Sequence, residues 1–131
     1  MRSKIIVIGS SNVDMIMKMS RLPKVGETIT DGEYIQTFGG KGANQAMAAA
    51  RLGKDVTFIN CIGEDPYAEM IINNFNSEGV NTEFIFKEKG VASGTALVMI
   101  GEAGSNYLSV APGANYKLTI DKIKACEAII K

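Results

Sequence analysis

Two apolar runs, each ended by a glycine, constrain the fold of this chain more than any other feature. Ile5-Ile6-Val7-Ile8 stops at Gly9, and Asp55-Val56-Thr57-Phe58-Ile59-Asn60-Cys61-Ile62 stops at Gly63. Neither run alternates polar with apolar, so each suits a strand covered on both faces, as in a parallel sheet. Parallel neighbours need a crossover, usually a helix. Ala43 to Leu52 supplies one: it is rich in alanine and is followed by Gly53, a residue type that closes helices. Ala46, Ala48, Ala49 and Ala50 are expected to let this helix lie close to the sheet. The result is a βαβ unit whose first connection is unusually long.

The pattern continues beyond Gly63. Asp65-Pro66 reads as the opening of a second helix, with Asp65 as N-cap and Pro66 in the first turn. Met70, Ile71, Asn74 and Phe75 form its stripe, and Gly79 stops it. Thr82 to Lys87 reads as a short strand. A last helix is expected from about Ile120 to Ile130, with Leu118, Ile120, Ile123, Ala125, Cys126, Ile129 and Ile130 on its apolar side. No internal repeat interrupts this order.

Two inserts do. Residues 15 to 38 carry Pro23, Gly26 and Gly32 among short alternating stretches, Thr28-Ile29-Thr30 and Tyr34-Ile35-Gln36, which suggest exposed antiparallel strands. Residues 94 to 110 read as a hairpin: Thr95 to Ile100 and Asn106 to Val110 flank Gly101-Glu102-Ala103-Gly104-Ser105. Beside an α/β core, these inserts suit a flap over a ligand; alternatively they are two solvated hairpins.

Composition narrows the function classes. Lys+Arg and Asp+Glu both number 14 in the 131 residues, so no basic excess points to nucleic acid. Zero net charge offers little repulsion against self-association. Histidine is absent, which removes the commonest zinc ligand and general base. Cys61 and Cys126 match no metal spacing, and Cys61 reads as a buried free thiol. The first apolar run is too short for a signal-peptide core or a membrane span, so the expected location is cytoplasmic.

Two stretches carry candidate chemistry. Gly9-Ser10-Ser11-Asn12-Val13-Asp14 follows the first strand, and ligands in open α/β sheets collect at strand carboxyl ends. In extended backbone, Asn12 and Asp14 point the same way. A carboxylate acceptor beside an amide that both donates and accepts suits vicinal hydroxyls; an Asx turn that only organises the loop fits the same residues. The second stretch is Phe38-Gly39-Gly40-Lys41-Gly42-Ala43-Asn44-Gln45, at a helix start where free N–H groups attract oxygen. It is neither a Walker A loop, because Gly42 follows Lys41, nor GxGxxG, because Gln45 takes the last glycine position. Lys41 and Asn44 as polyol contacts fit better, against a glycine-rich cap with a solvated lysine. Glu64-Asp65 is a third acidic spot, for which capping is a sufficient role. Transfer of phosphate to an alcohol needs a base, anion-binding N–H groups and usually magnesium. One glycine-rich helix start with one lysine does not make that set.

At these residues the chain resembles the ribokinase-type sugar kinases, a family that also includes adenosine kinases and fructokinases. The matching stretches are Gly9 to Asp14, Pro23-Lys24-Val25-Gly26-Glu27-Thr28, Gly39-Gly40-Lys41-Gly42-Ala43-Asn44-Gln45-Ala46, Gly63-Glu64-Asp65, Ser93-Gly94-Thr95-Ala96 and Pro112-Gly113-Ala114-Asn115. They come in the family's order and cover nearly the whole chain. The resemblance implies a ribokinase-like α/β fold: βαβ units with a small parallel sheet, spanning 1–131, plus a small antiparallel β lid from inserts 15–38 and 94–110. It implies that Asn12 and Asp14 hold sugar hydroxyls, that Gly40, Lys41 and Asn44 complete that side, and that Ala96 and Val110 lie against the sugar from the lid. The family's catalytic base, in a Gly-Ala-Gly-Asp motif, and its nucleotide, anion and monovalent-cation sites lie in a C-terminal half that these 131 residues do not contain. A truncated chain is therefore expected, with no catalytic residue, nucleotide or metal site of its own; ATP and magnesium belong to the longer parent. A pentose and a second copy of the chain, most simply in a homodimer, are the expected partners, and nucleic acid and membrane are not. The expected function is sugar binding and self-association without turnover. The alternative is a carbohydrate kinase subunit that is active, or becomes so when complemented.

Overall fold

The computed structural model of the protein describes residues 4–131. In chain order the elements are β1 (Lys4–Ile8), β2 (Asn12–Met19), β3 (Glu33–Gly39), α1 (Lys41–Arg51), β4 (Asp55–Gly63), α2 (Ala68–Ser77), β5 (Val80–Asn81) and β6 (Ile85–Glu88). There follow β7 (Thr95–Gly101), β8 (Asn106–Ala111), a 3-10 turn (Gly113–Lys117), α3 (Ile120–Ala125) and α4 (Glu127–Ile130).

The expected βαβ unit is present. β1 and β4 pair in parallel, Lys4 opposite Asp55 through Ile8 opposite Ile59, with α1 in the crossover. β4 is the central strand and is buried from Val56 to Gly63, which explains its lack of alternation. β5 and β6 both add in parallel on its far side, opposite Val56–Thr57 and Asn60–Gly63. The strand expected over Thr82 to Lys87 is thus only β6, which starts at Ile85, while β5 precedes the expected range. Thr82 and Asn81 turn the chain between them: the Asn81 Oδ1 accepts from the Glu83 N–H, and the Thr82 carbonyl from the Ile85 N–H.

The core lies between this sheet and α1 with α2. Val7, Val56, Phe58 and Ile62 face Ala43, Ala46, Ile71 and Phe75, and the rings of Phe58 and Phe75 sit 5.0 Å apart at 54°. Gly42, Ala43 and Ala46 make the close face of α1, whereas Ala48 is exposed, so the packing stripe lies nearer the helix start than the alanine run implies. On α2 the stripe is Ala68, Ile71 and Phe75, with Met70 exposed; helical spacing of three and four sets Met70 off that face. α2 begins at Ala68, later than Asp65 as N-cap would have it. Asp65 holds the preceding turn instead, accepting from the Tyr67 N–H at 3.0 Å. Arg51 and Glu78 join the ends of the two helices through a two-pronged ion pair.

The inserts merge into a second sheet, ordered β3-β2-β7-β8. β2 pairs with β3 and β7 with β8 in antiparallel fashion, but β2 and β7 run parallel, so the sheet is mixed where an antiparallel one was expected. Thr28-Ile29-Thr30 lies outside any strand; that loop is held by the Arg21–Glu27 ion pair and by the Lys24 N–H bonding Glu27. This pair keeps the Glu27 carboxyl down at about 2, so its contribution is present above the ordinary carboxylate range and lost as pH falls towards 2.

The last helix is broken in two at Cys126. Cys126 is buried, yet Ile120 and Ile130 are exposed, so only part of the expected apolar side is covered. The Lys122 ammonium bonds Glu88 at 2.8 Å and the Lys117 carbonyl at 2.7 Å, tying α3 to β6. Cys61 is buried and unpaired, and burial pushes its thiol up from the usual value. Among the described residues, no helix is long and apolar enough to cross a membrane.

Phe75→Ala should lower unfolding free energy by about 3–5 kcal/mol, the range for aromatic deletion from a core. Met70→Ala, five residues earlier and off the stripe, should stay within about 0.5 kcal/mol. Urea denaturation followed by circular dichroism measures both.

Candidate functional site

The site forms where the chain leaves the first sheet and enters the second. β1 ends at Ile8, and β2 starts at Asn12, so only Gly9-Ser10-Ser11 separate the sheets. The alternation of β2 then puts Asn12 and Asp14 on one face. Opposite, α1 begins at Lys41. Its Ala43 N–H donates to the Ser10 carbonyl at 2.9 Å, which clamps the helix start to the same three-residue crossing.

Gly40 is required at that clamp. Its φ is 100°, and a Cβ there would lie 2.7 Å from the Ser11 Cα. At Gly39 the Asp14 carboxylate occupies the space a side chain would need. The glycines therefore admit β2 and the Ser10–Ser11 loop to the helix start.

All seven residues singled out in the sequence surround one cleft. Asn12 and Asp14 from β2, Gly40, Lys41 and Asn44 from the start of α1, and Ala96 and Val110 from β7 and β8 line a space of about 460 Å³, together with Ser10, Val98 and Leu108. One wall is polar and one aliphatic. The register explains the convergence: Asp14 stands opposite Ala96 in the parallel β2–β7 pair, and Ala96 stands opposite Val110 in β7–β8. A second hollow of about 300 Å³ shares Asn12 and Asn44 but is walled by Phe38, Met47, Ile71 and Phe75. It has neither Asp14 nor Lys41, so the first cleft holds the groups that suit hydroxyls.

Asp14 is only partly exposed, and burial raises its carboxyl above the ordinary value, with no neighbouring hydrogen bond or charge offsetting the effect. A carboxylate held this way is under-solvated and ready to accept hydrogen bonds from a ligand.

Asn60, Asn115 and Ser93, which the sequence left without a role, support the cleft together with Asp65. Asn60 is fully buried on β4; its Nδ2 donates to the Gly9 carbonyl and its Oδ1 accepts from the Ser11 hydroxyl, both at 2.8 Å. Asn115, on the 3-10 turn, bonds the Ser11 backbone and the Asn12 side chain. Asp65 accepts from the Ser93 N–H at 2.7 Å and from its hydroxyl, and the Ser93 hydroxyl in turn accepts from the Gly63 N–H. Asp65 thus fixes the segment leading into β7, in addition to the turn before α2 that it holds in place of the expected cap. One signal was present for Asn60: an amide in the middle of an otherwise apolar buried run.

Residues 2–130 match the pfkB family of carbohydrate kinases. The chain belongs to that family. It is 36% identical to the ribokinase of Mus musculus over 96% of this chain and 39% of that protein. It is 39% identical to the ribokinase of Haemophilus influenzae over 99% of this chain and 42% of that protein. Among solved structures, ribokinase from Giardia lamblia superposes with a TM-score of 0.86 at 28% identity, covering 97% of this chain and 39% of that one. Arabidopsis thaliana ribokinase complexed with ribose and ATP gives 0.79 at 34% identity, covering 88% and 38%. The chain therefore spans about two fifths of the length of these carbohydrate kinases, and its fold is the ribokinase fold over that span.

Because the folded-state value of Asp14 is raised, ionising it opposes folding. Asp14→Asn should therefore be more stable than the unaltered chain at pH 7, and the gain should fade as pH falls through and below the ordinary carboxylate value, where both states carry the proton. Thermal melts of the pair at pH 7 and pH 3 test the sign.

Proposed function

We propose that this chain is the sugar-holding part of an ATP-dependent pentose kinase, and that its cleft takes ribose or a close relative. The observation that carries the reading is the shared cleft: a carboxylate, two amides and a lysine converge on one side of a space faced on the other by Ala96, Val98, Leu108 and Val110. Pentoses have this two-sided character, with hydroxyls on the rim and C–H groups on the ring face. Asn12 and Asp14 take hydroxyl hydrogen bonds. Lys41 and Asn44 add a donor cation and an amide, Gly40 lets the sugar approach the backbone, and Ala96 and Val110 exclude water from the opposite face. Membership of a carbohydrate kinase family supports the substrate class, as does the ribose named in the Arabidopsis complex.

In this reading phosphate transfer is completed by groups outside these 131 residues. No residue of the chain is assigned to ATP, magnesium or proton removal. Asp65, the acidic residue nearest a strand end, is already committed to Tyr67 and Ser93. The two unpaired cysteines support a reducing, cytoplasmic setting.

Titration of ribose into the chain by calorimetry should give saturable heat, and Asp14→Ala should abolish it or weaken affinity at least about tenfold, the scale of one charge-assisted hydrogen bond. Equal heats for both would remove the cleft from consideration. A coupled ATP-turnover assay on the same preparation should show no ribose-dependent rate; sustained turnover would overturn the assignment of phosphate transfer to groups outside the chain.

We also propose that the chain pairs with a second copy through the outer face of the lid. Met17, Leu97 and Met99 alternate away from the cleft, flanked by Tyr34 and Tyr107, and Leu97, Tyr34 and Tyr107 are more than half exposed. An apolar surface of this kind on a neutral chain favours association. Sedimentation equilibrium should give a dimer that Leu97→Asp shifts to monomer; a monomeric unaltered chain at 100 micromolar, about the upper range for weak dimers, would exclude it.

A further inference from the structure

We propose that Asn115 is a positioning residue that sets the direction of the Asn12 amide, and with it the discrimination of the cleft between a hydroxyl and a missing hydroxyl. This rests on the reading of the cleft as a pentose site.

The argument begins with backbone groups whose donor and acceptor identities are unambiguous. Asn115 Oδ1 accepts from the Ser11 N–H at 3.0 Å, and Asn115 Nδ2 donates to the Ser11 carbonyl at 2.9 Å. An amide rotated by 180° would set acceptor against acceptor and donor against donor, so the Ser11 peptide holds Asn115 in one orientation. The same Nδ2 donates to Asn12 Oδ1 at 3.1 Å. Asn12 therefore must show its oxygen to Asn115, which leaves its own N–H donors for the cleft. Buried Asn60 backs the arrangement by donating to Asn115 Oδ1 at 3.4 Å, its own orientation fixed by the Gly9 carbonyl. Gly94 encloses the group: a side chain there would collide with Asn115 Nδ2 and Asn12 Oδ1.

The consequence is chemical. With Asn12 so turned, the cleft presents a donor from residue 12 beside the Asp14 acceptor, two residues apart on one strand face. A hydroxyl can accept from the first and donate to the second. A site with both groups committed penalises a sugar that lacks the hydroxyl, because buried polar groups are then left unpaired. If Asn12 turned freely, it would present its oxygen half of the time and the penalty would fall.

Asn115→Asp tests this with little change of shape. It keeps acceptors for the Ser11 N–H and Asn60 but loses both donated bonds, and it places an oxygen against Asn12 Oδ1. Affinities for ribose, 2-deoxyribose and 3-deoxyribose are measured by calorimetry. The preference for ribose over the deoxypentose it most disfavours should fall about tenfold, the scale of one hydrogen bond. In an Asn12→Ala background the further change should be less than about twofold, because Asn115 acts through Asn12. Asn12→Asp serves where Asn115→Asp folds poorly: it keeps the oxygen facing Asn115 but removes the donor, so the same preference should be lost with the supporting bonds intact. An undiminished preference in both variants, or additive effects in the double variant, would overturn the inference.

A second readout does not depend on sugar. The side-chain amide of Asn12, assigned in a 15N spectrum by its loss in Asn12→Ala, should show high order in the unaltered chain and low order in Asn115→Ala, which leaves the Asn12 oxygen without its donor. Unchanged order would overturn the positioning claim. If the unaltered chain binds no pentose, the reading of the cleft fails separately and the NMR comparison still decides whether Asn115 positions Asn12.

Discussion

The protein depends on a three-residue crossing. Gly9-Ser10-Ser11 carries the chain from the parallel sheet into the second, mixed sheet, and every part of the candidate site is referred to it. Its peptide groups are held from several directions: the Gly9 carbonyl by Asn60, the Ser10 carbonyl by the start of α1, and both sides of Ser11 by Asn115. Backbone polar groups buried at a junction between sheets must find partners, since neither ladder serves them. Amide side chains are suited to this because each supplies a donor and an acceptor at once. The cleft is the empty side of the same junction.

This economy explains the spacing of the site residues along the chain. Asn12 and Asp14 are the first outward-facing positions after the crossing, so their placement is set by the strand that pays no further turn. Gly40, Lys41 and Asn44 are one helical turn anchored to Ser10. Ala96 and Val110 arrive because β7 runs parallel to β2, which puts Ala96 beside Asp14 and Val110 beside Ala96. Asp14 sits under-solvated in this setting at some cost to folding.

Much of this was legible from local patterns. The two uninterrupted apolar runs and the alanine-rich helix between them specify a parallel βαβ unit, because strands buried on both faces have no polar face to show. Residue types marked the Asn12–Asp14 pair and the glycine-rich start of α1 as two separate candidates, the likeness to sugar kinases joined them, and both line one cleft. Less was legible where long-range contacts compete with local preference. Asp65 has the chemistry of an N-cap, yet Ser93, twenty-eight residues away, claims its carboxylate. The strand expected over Thr82 to Lys87 starts only at Ile85 because Asn81 and Thr82 turn the chain before it reaches its stretch of the β4 edge, and the final helix breaks where Cys126 is drawn inwards.

Residue order along the chain was therefore enough to establish the α/β class, two parallel strands and the helix that crosses between them. Period and residue chemistry are local properties, and they survive whatever the rest of the chain does. Only the tertiary structure settled that the two inserts share one mixed sheet, that β2 and β7 run parallel, and that Asn60 and Asn115 are the supports of the site. Those features depend on pairings across 49 to 104 residues, where a hydrogen-bonding side chain acquires its role from the backbone group that comes to face it.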